Sequence, residues 1–93
     1  MSHYHVFMTR ACRQQWQNVL ARVERHGLDA DLARQWLRRF TARLRGQYPN
    51  DGKARIEWCD VYGPAGRIGV SYHAVHADGH VILFGLNLRG VFR

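Results

Sequence analysis

The residues best suited to acid–base chemistry lie in the second half of the chain, in segments that alternate as β-strands do. Glu57 and His73 are a carboxylate and an imidazole, and Arg67 and Arg89 are cations in the same segments. Cleavage of RNA by its own 2′-hydroxyl needs a base, an acid and cations that hold the crowded phosphate. We therefore predict a catalytic set of Glu57, Arg67, His73 and Arg89. The alternative is the solvated polar face of an antiparallel sheet.

These residues need a sheet to hold them, and the clearest strand is Arg67–Val75. Its apolar and polar residues alternate, which is typical of a strand with one buried face. The residues predicted to face the core are Ile68, Val70, Tyr72 and Ala74. The residues predicted to face the other way are Arg67, Gly69, Ser71 and His73.

Two neighbouring strands, Ala54–Tyr62 and His80–Gly90, complete the predicted polar face. We expect a core-facing set of Ile56, Trp58, Ile82, Phe84, Leu86 and Leu88. The opposite set is then Arg55, Glu57, Cys59, Leu83, Gly85, Asn87 and Arg89. This assignment turns Asp60 towards the core unless a bulge or the strand end comes first. Arg55 and Asn87 are predicted as further binding residues.

The first half of the chain predicts one strand and two helices. Ser2–Met8 is rich in aromatic and β-branched residues, and Thr9 is a suitable N-cap for a helix over Arg10–His26 that Gly27 ends. Asp29 or Asp31 caps a second helix that continues to about Arg45. The apolar stripes are Cys12, Trp16, Val19, Leu20 and Val23, then Leu32, Trp36, Leu37, Phe40 and Leu44. Turns are predicted at Tyr48–Gly52, Gly63–Gly66 and Ala77–Gly79.

The resulting order is strand, helix, helix and three strands. We predict an α+β fold, in which a helix hairpin packs on one face of a small, mostly antiparallel sheet. A chain of 93 residues fits a single domain over residues 1–93.

The charge predicts an anionic partner. Lys and Arg total 14 against 7 Asp and Glu, which gives a net charge of +7, and all but Lys53 of the basic residues are arginines. The planar guanidinium matches phosphate oxygens and stacks on bases. The second helix alone holds Arg34, Arg38, Arg39, Arg43 and Arg45. We predict that Arg34, Arg38 and Arg45, which fall near one line, dock an anionic surface; a solvated helix face is the alternative.

Other classes of function are less favoured by the sequence. No apolar run approaches the ~20 residues of a membrane span, and the start lacks the features of a signal peptide, so we expect a cytoplasmic protein without a membrane partner. Cys12 and Cys59 lack metal-ligand spacing and are expected to be reduced thiols. His73 and His76 are three apart in a strand and point to opposite faces. We expect neither a metal nor a cofactor.

The closing hairpin, GRIGVSYHAVHADGHVILFGLNLRG, resembles the corresponding segment of the RelE/ParE toxin superfamily. The similar features are Gly66-Arg67, Tyr72, the tight acidic turn Ala77–Gly79, the apolar strand Val81–Leu86 and Leu88-Arg89. YHVFMTRACRQQW is similar to the first strand and helix start of the family. The paired lysines of one branch are replaced by Glu57 and Asp60, and Phe92 lies nearest to the position of a late family tyrosine.

The resemblance implies a toxin that acts on RNA, with Arg67 and Arg89 at or near the positions that handle the phosphate. It also implies the ribosome and an acidic antitoxin as partners. The enzyme would be a metal-independent endoribonuclease. The alternative is a non-catalytic basic module, either a ParE-like gyrase inhibitor or a small mobile-element protein that binds nucleic acid or an acidic protein. A homo-oligomer is compatible with either hypothesis.

Overall fold

A computed structural model describes residues 4–47, 53–75 and 79–93. A short strand is followed by a helix hairpin and three longer strands, in the order expected from the sequence. The predicted α+β fold is thereby confirmed. The elements are β1 (His5–Met8), α1 (Arg10–Arg25), α2 (Ala30–Gln47), β2 (Arg55–Cys59), β3 (Gly66–Val75) and β4 (His80–Gly90).

The sheet has four strands in the order β1-β4-β3-β2. The pairs β2–β3 and β3–β4 are antiparallel, whereas β1 at the edge is parallel to β4. A parallel pair needs a long crossover, and the helix hairpin between β1 and β2 provides the first part of it. Both helices consequently pack on the same face of the sheet, which leaves the other face uncovered by any described element. We call this second side the open face.

Local signals fix the helix ends much as expected. The Thr9 side chain accepts a hydrogen bond from the Cys12 N–H at 3.1 Å, and Gly27 takes a φ of 73° where α1 ends. Asp29, rather than Asp31, is the cap of α2, since its carboxylate accepts from the Asp31 N–H at 2.9 Å. The predicted turn at Tyr48–Gly52 lies outside the described residues, as does all of the Ala77–Gly79 turn except Gly79.

The core lies between the helix hairpin and the sheet. Trp16 is 7% exposed and Phe40 is 2% exposed, as the stripe pattern predicts. The Phe40 ring packs edge-on against Tyr72 of β3, with 5.2 Å between ring centroids. The predicted core set of β3 is buried throughout: Ile68, Val70, Tyr72 and Ala74. Within the described ranges, neither helix has the length and apolar character that crossing a membrane requires.

The end of the chain is part of this core. Phe92 is fully buried, with its ring 5.4 Å from Tyr62 and 6.2 Å from His26. Arg22 of α1 donates to the Phe92 carbonyl at 2.9 Å. Phe92 is therefore a structural residue.

A sharp bend at Gly90 directs Phe92 into the core. Gly90 has a φ of 71°, and a Cβ there would lie 2.3 Å from the Ala65 carbonyl oxygen. We expect Gly90→Ala to lower the free energy of unfolding by about 2 kcal/mol, because the left-handed backbone and the clash both oppose the substitution. Urea denaturation measures the change. Gly46→Ala is the matched control, since its Cβ would meet nothing within 4 Å; an equal loss in both variants would contradict the explanation.

Candidate nucleic-acid interface

The second strand faces the opposite way from our expectation. Cys59 is fully buried towards the helices, and Glu57 on the same side of the strand pairs with Arg43 of α2 at 3.0 Å. Trp58 consequently lies on the open face. The prediction failed because both alternating sets of β2 contain apolar residues, so alternation alone does not orient the strand. The strand ends at Cys59, and Asp60 is exposed rather than turned into the core.

In β4, the alternation of buried and exposed side chains shifts by one residue in the middle of the strand. Ser71 pairs with Gly85 but Tyr72 pairs with Leu83, so Phe84 is an extra residue in a β-bulge. Val81 and Leu83 before the bulge are buried, instead of the expected Ile82 and Phe84. After the bulge the parity agrees with the prediction. Leu86 and Leu88 pack on the core, and Asn87 and Arg89 lie on the open face.

These orientations place two arginines and a tryptophan together at one end of the open face. Arg67 of β3 and Arg89 of β4 are directly opposite each other. The Arg89 guanidinium carbon lies 4.5 Å from the centroid of the Trp58 ring, and that of Arg67 lies 5.4 Å from it. Such cation–π contacts hold the guanidinium groups over the ring but do not neutralise their positive charge. We call Trp58, Arg67 and Arg89 the arginine–tryptophan cluster.

Gly69 makes room for this cluster. It is the register partner of Trp58, and a Cβ on Gly69 would lie 2.9 Å from the Trp58 ring and 2.7 Å from the Ile56 side chain. The indole therefore lies across the bare backbone of β3. Because Gly69 has no side chain, the Trp58 ring can lie over it on the open face rather than in the core.

The electrostatics of the cluster favour an anion. Like charges directly opposite each other on two strands destabilise a sheet. No carboxylate of the described residues forms an ion pair with Arg67 or Arg89. A depression of about 840 Å³ adjoins the cluster and is lined by Trp58, Asn87, Arg89 and Arg93, among others. The Asn87 amide also contacts the Ser71 hydroxyl at 3.5 Å.

The structure does not bring the predicted catalytic set together. Arg67 and Arg89 are neighbours on the open face, whereas Glu57 lies on the helix side and is held by Arg43. His73 is on the open face, but six residues along β3 from Arg67, which corresponds to about 20 Å. Its ring contacts Phe84, with 5.3 Å between centroids. The carboxylate and the imidazole therefore lie in separate places from the arginine pair.

The arginines of α2 differ in whether they form ion pairs. Arg34 pairs with Asp31 at 2.6 Å and with Glu24 of α1 at 3.7 Å, so its charge already has carboxylate partners within the protein. Arg38 and Arg45 are exposed and form no ion pair with any residue in the described ranges. Arg55, also predicted as a binding residue, lies on the helix side of β2 opposite Tyr72 and is half-buried.

Both cysteines are free and buried. Burial raises the pKa of both cysteine thiols, Cys12 and Cys59, so they stay protonated near neutral pH and are poor nucleophiles. Among residues 4–47, 53–75 and 79–93, no three His, Cys, Asp or Glu side chains group in a way that could hold a metal ion.

Sequence reasoning missed Trp58 as a member of the site. The signal in the sequence was Trp58 at the centre of one predicted strand and Gly69 in the next, at a position predicted to face away from the core. Only the register of β2 against β3 in the structure shows that Trp58 and Gly69 are partners.

Comparisons of the chain with protein-family models, curated proteins and solved structures find no match.

Proposed function

We propose that the protein binds RNA and that the phosphate backbone lies on the open face at the arginine–tryptophan cluster. The observation that carries the proposal is the Arg67–Arg89 pair, two cations side by side over one indole without a carboxylate partner among the described residues. A phosphate oxygen supplies the missing counter-charge through charge-assisted hydrogen bonds. The net charge of +7 adds long-range attraction to a polyanion.

Binding without cleavage is the form of this function that the geometry supports best. A base and an acid must each reach the reacting phosphate within hydrogen-bond distance. Glu57 is separated from the cluster by the sheet, and His73 is about 20 Å away along its strand. We therefore propose a basic binding module, which is the alternative to the endoribonuclease that the RelE/ParE resemblance implies. The ribosome is one RNA-rich partner that would fit.

A salt titration with Arg89→Gln tests the proposal. We expect the variant to bind a labelled RNA about tenfold more weakly than the wild type, because one charge-assisted contact is lost. The slope of log K against log salt should become shallower by about 0.7 to 0.9. Arg25→Gln is the matched control, since Arg25 is an exposed arginine at the end of α1, on the other side of the sheet. Equal effects in the two variants would show that only total charge matters.

The same samples measure cleavage. After incubation, the RNA is separated on a denaturing gel, and we expect it to remain intact in both the wild type and the variant. If the wild type cleaves the RNA and Arg89→Gln does not, the proposal of binding without catalysis is wrong. The endoribonuclease hypothesis is then restored.

An acidic protein segment is the second candidate partner, favoured by a groove at the β1 edge of the sheet, to which Phe7 also contributes. The groove has a volume of about 370 Å³ and runs between β1 and the helix hairpin. Its apolar lining includes Val6, Met8, Trp16, Leu37 and Leu83, and Arg13 and Arg38 also line it. An apolar lining with two arginines suits an amphipathic acidic segment, such as an antitoxin would supply.

A further inference from the structure

The open face carries a second group of exposed side chains, about 20 Å from the arginine–tryptophan cluster. Phe7 is 49% exposed and Phe84 is 43% exposed. The Phe7 ring contacts His80 with 4.8 Å between centroids, and the Phe84 ring contacts His73 with 5.3 Å. We call this group, His5, Phe7, His73, His80 and Phe84, the aromatic end.

Strand pairing makes the aromatic end continuous. Phe7 of β1 is the register partner of Ile82 in β4, and Ile82 is the partner of His73 in β3. The three side chains form a row across three strands, which spans about 10 Å. His5 and His80 pair in a neighbouring row, with 6.2 Å between their rings. Phe7 and His73 therefore flank Ile82 in one row, and the two imidazole rings of His5 and His80 form the next row on the same surface.

The aromatic residues of this end are not needed to fill the core. The β-bulge leaves Leu83 buried and turns Phe84 outwards, although a regular strand would bury it. Phe7 has buried or half-buried neighbours on both sides of the chain, but its own ring faces out. Exposed apolar rings that lie together are typical of a binding surface.

A path of small and polar residues joins the aromatic end to the arginine–tryptophan cluster. Gly69, Ser71, Gly85 and Asn87 lie between them on β3 and β4. A Cβ on Gly85 would meet nothing within 4 Å, so the surface there is open. None of the strand residues that the structure places on the open face is acidic. The face thus offers positive charge at one end and flat rings at the other.

We propose that the open face binds single-stranded RNA, with phosphates at the arginine–tryptophan cluster and unpaired bases stacked on Phe7 and Phe84. This inference rests on the proposed RNA binding. In a duplex the bases are stacked on each other and are not available to rings on a flat sheet, whereas unpaired bases stack on aromatic side chains. The absence of acids among the strand residues of the open face favours a polyanion over a basic or neutral protein partner.

The test compares three probes: an oligouridylate of about 12 nucleotides, a duplex of the same length, and inorganic polyphosphate, which carries the charge without bases. We expect Phe7→Ala/Phe84→Ala to weaken oligouridylate binding by about thirtyfold or more, since the stacking of two bases is lost. The salt slope and the affinity for polyphosphate should not change. Leu32→Ala is the control, because Leu32 is an exposed apolar residue on α2.

Each other outcome overturns the inference in a different way. Equal binding of oligouridylate and duplex, with no effect of the phenylalanine variant, contradicts base stacking but leaves phosphate binding intact. No binding of any probe by the wild type removes the proposed function together with the inference. If sedimentation shows that the wild type is a dimer and Phe7→Ala/Phe84→Ala is a monomer with unchanged RNA affinity, the aromatic end binds a second copy of the chain instead of RNA bases.

Discussion

Replacing Arg67 and Arg89 together by glutamate is expected to weaken RNA binding by about a hundredfold or more. Each arginine supplies a charge-assisted hydrogen bond of about 1.5 kcal/mol or more, and 1.4 kcal/mol corresponds to a factor of ten. The new carboxylates also repel the phosphates. Two lost contacts should reduce the salt slope by about 1.5 units. Titration of a labelled single-stranded RNA at several salt concentrations measures both quantities.

The matched control for this prediction is Arg34→Glu/Arg38→Glu. It changes the net charge by the same amount, but it lies on α2, where Arg34 already pairs with Asp31 and Glu24. We expect a loss of no more than about threefold, due to the weaker overall attraction. A larger loss in the helix variant than in the sheet variant would move the RNA site to α2, as the run of helix arginines first indicates. Circular dichroism checks that both variants fold.

Replacement of Phe92 by alanine is expected to lower the free energy of unfolding by about 3–5 kcal/mol. The side chain is fully buried and contacts rings from two other segments, Tyr62 and His26. Truncation of such a residue loses apolar burial and leaves a cavity beside Gly66, whose Cα hydrogen faces the Phe92 ring. A small domain has only about 5–15 kcal/mol of total stability, so much of it would be lost. Urea denaturation followed by tryptophan fluorescence measures the change.

The neighbouring residue provides the control for Phe92. Val91 is 45% exposed, and its truncation to alanine should change the stability by less than about 1 kcal/mol, as is usual for surface sites. If Phe92→Ala were as stable as Val91→Ala, the end of the chain would not be part of the core. The interpretation of Phe92 as a structural residue would then be wrong.

The fold could be predicted because its signals are local. The three- and four-residue spacing from Cys12 to Val23 defines α1, and the strict alternation of Ile68, Val70, Tyr72 and Ala74 orients β3. Both patterns depend only on residues within one element. The parallel pairing of β1 with β4 is different, since it joins the two ends of the chain and has no local signature.

The site was predicted less well because it depends on pairing between strands. The bulge at Phe84 exists only in the register of β4 against β3, and it exposes a residue that alternation would bury. The outward position of Trp58 depends on Gly69 in the next strand. Arg67 and Arg89 were found because each lies on the expected side of its strand. Glu57 was misplaced because both alternating sets of β2 contain apolar residues, so alternation alone does not show that it faces Arg43 of α2.

The most direct measurement of RNA binding on the open face is an NMR titration that follows the indole N–H signals of the three tryptophans. Trp58 lies on the open face, whereas Trp16 and Trp36 pack in or against the core, so two of the three signals are internal controls. On addition of single-stranded RNA we expect the Trp58 signal to shift in proportion to saturation, together with the backbone amides of Gly69 and Asn87. An unmoved Trp58 signal with shifts confined to α2 would contradict the proposed site.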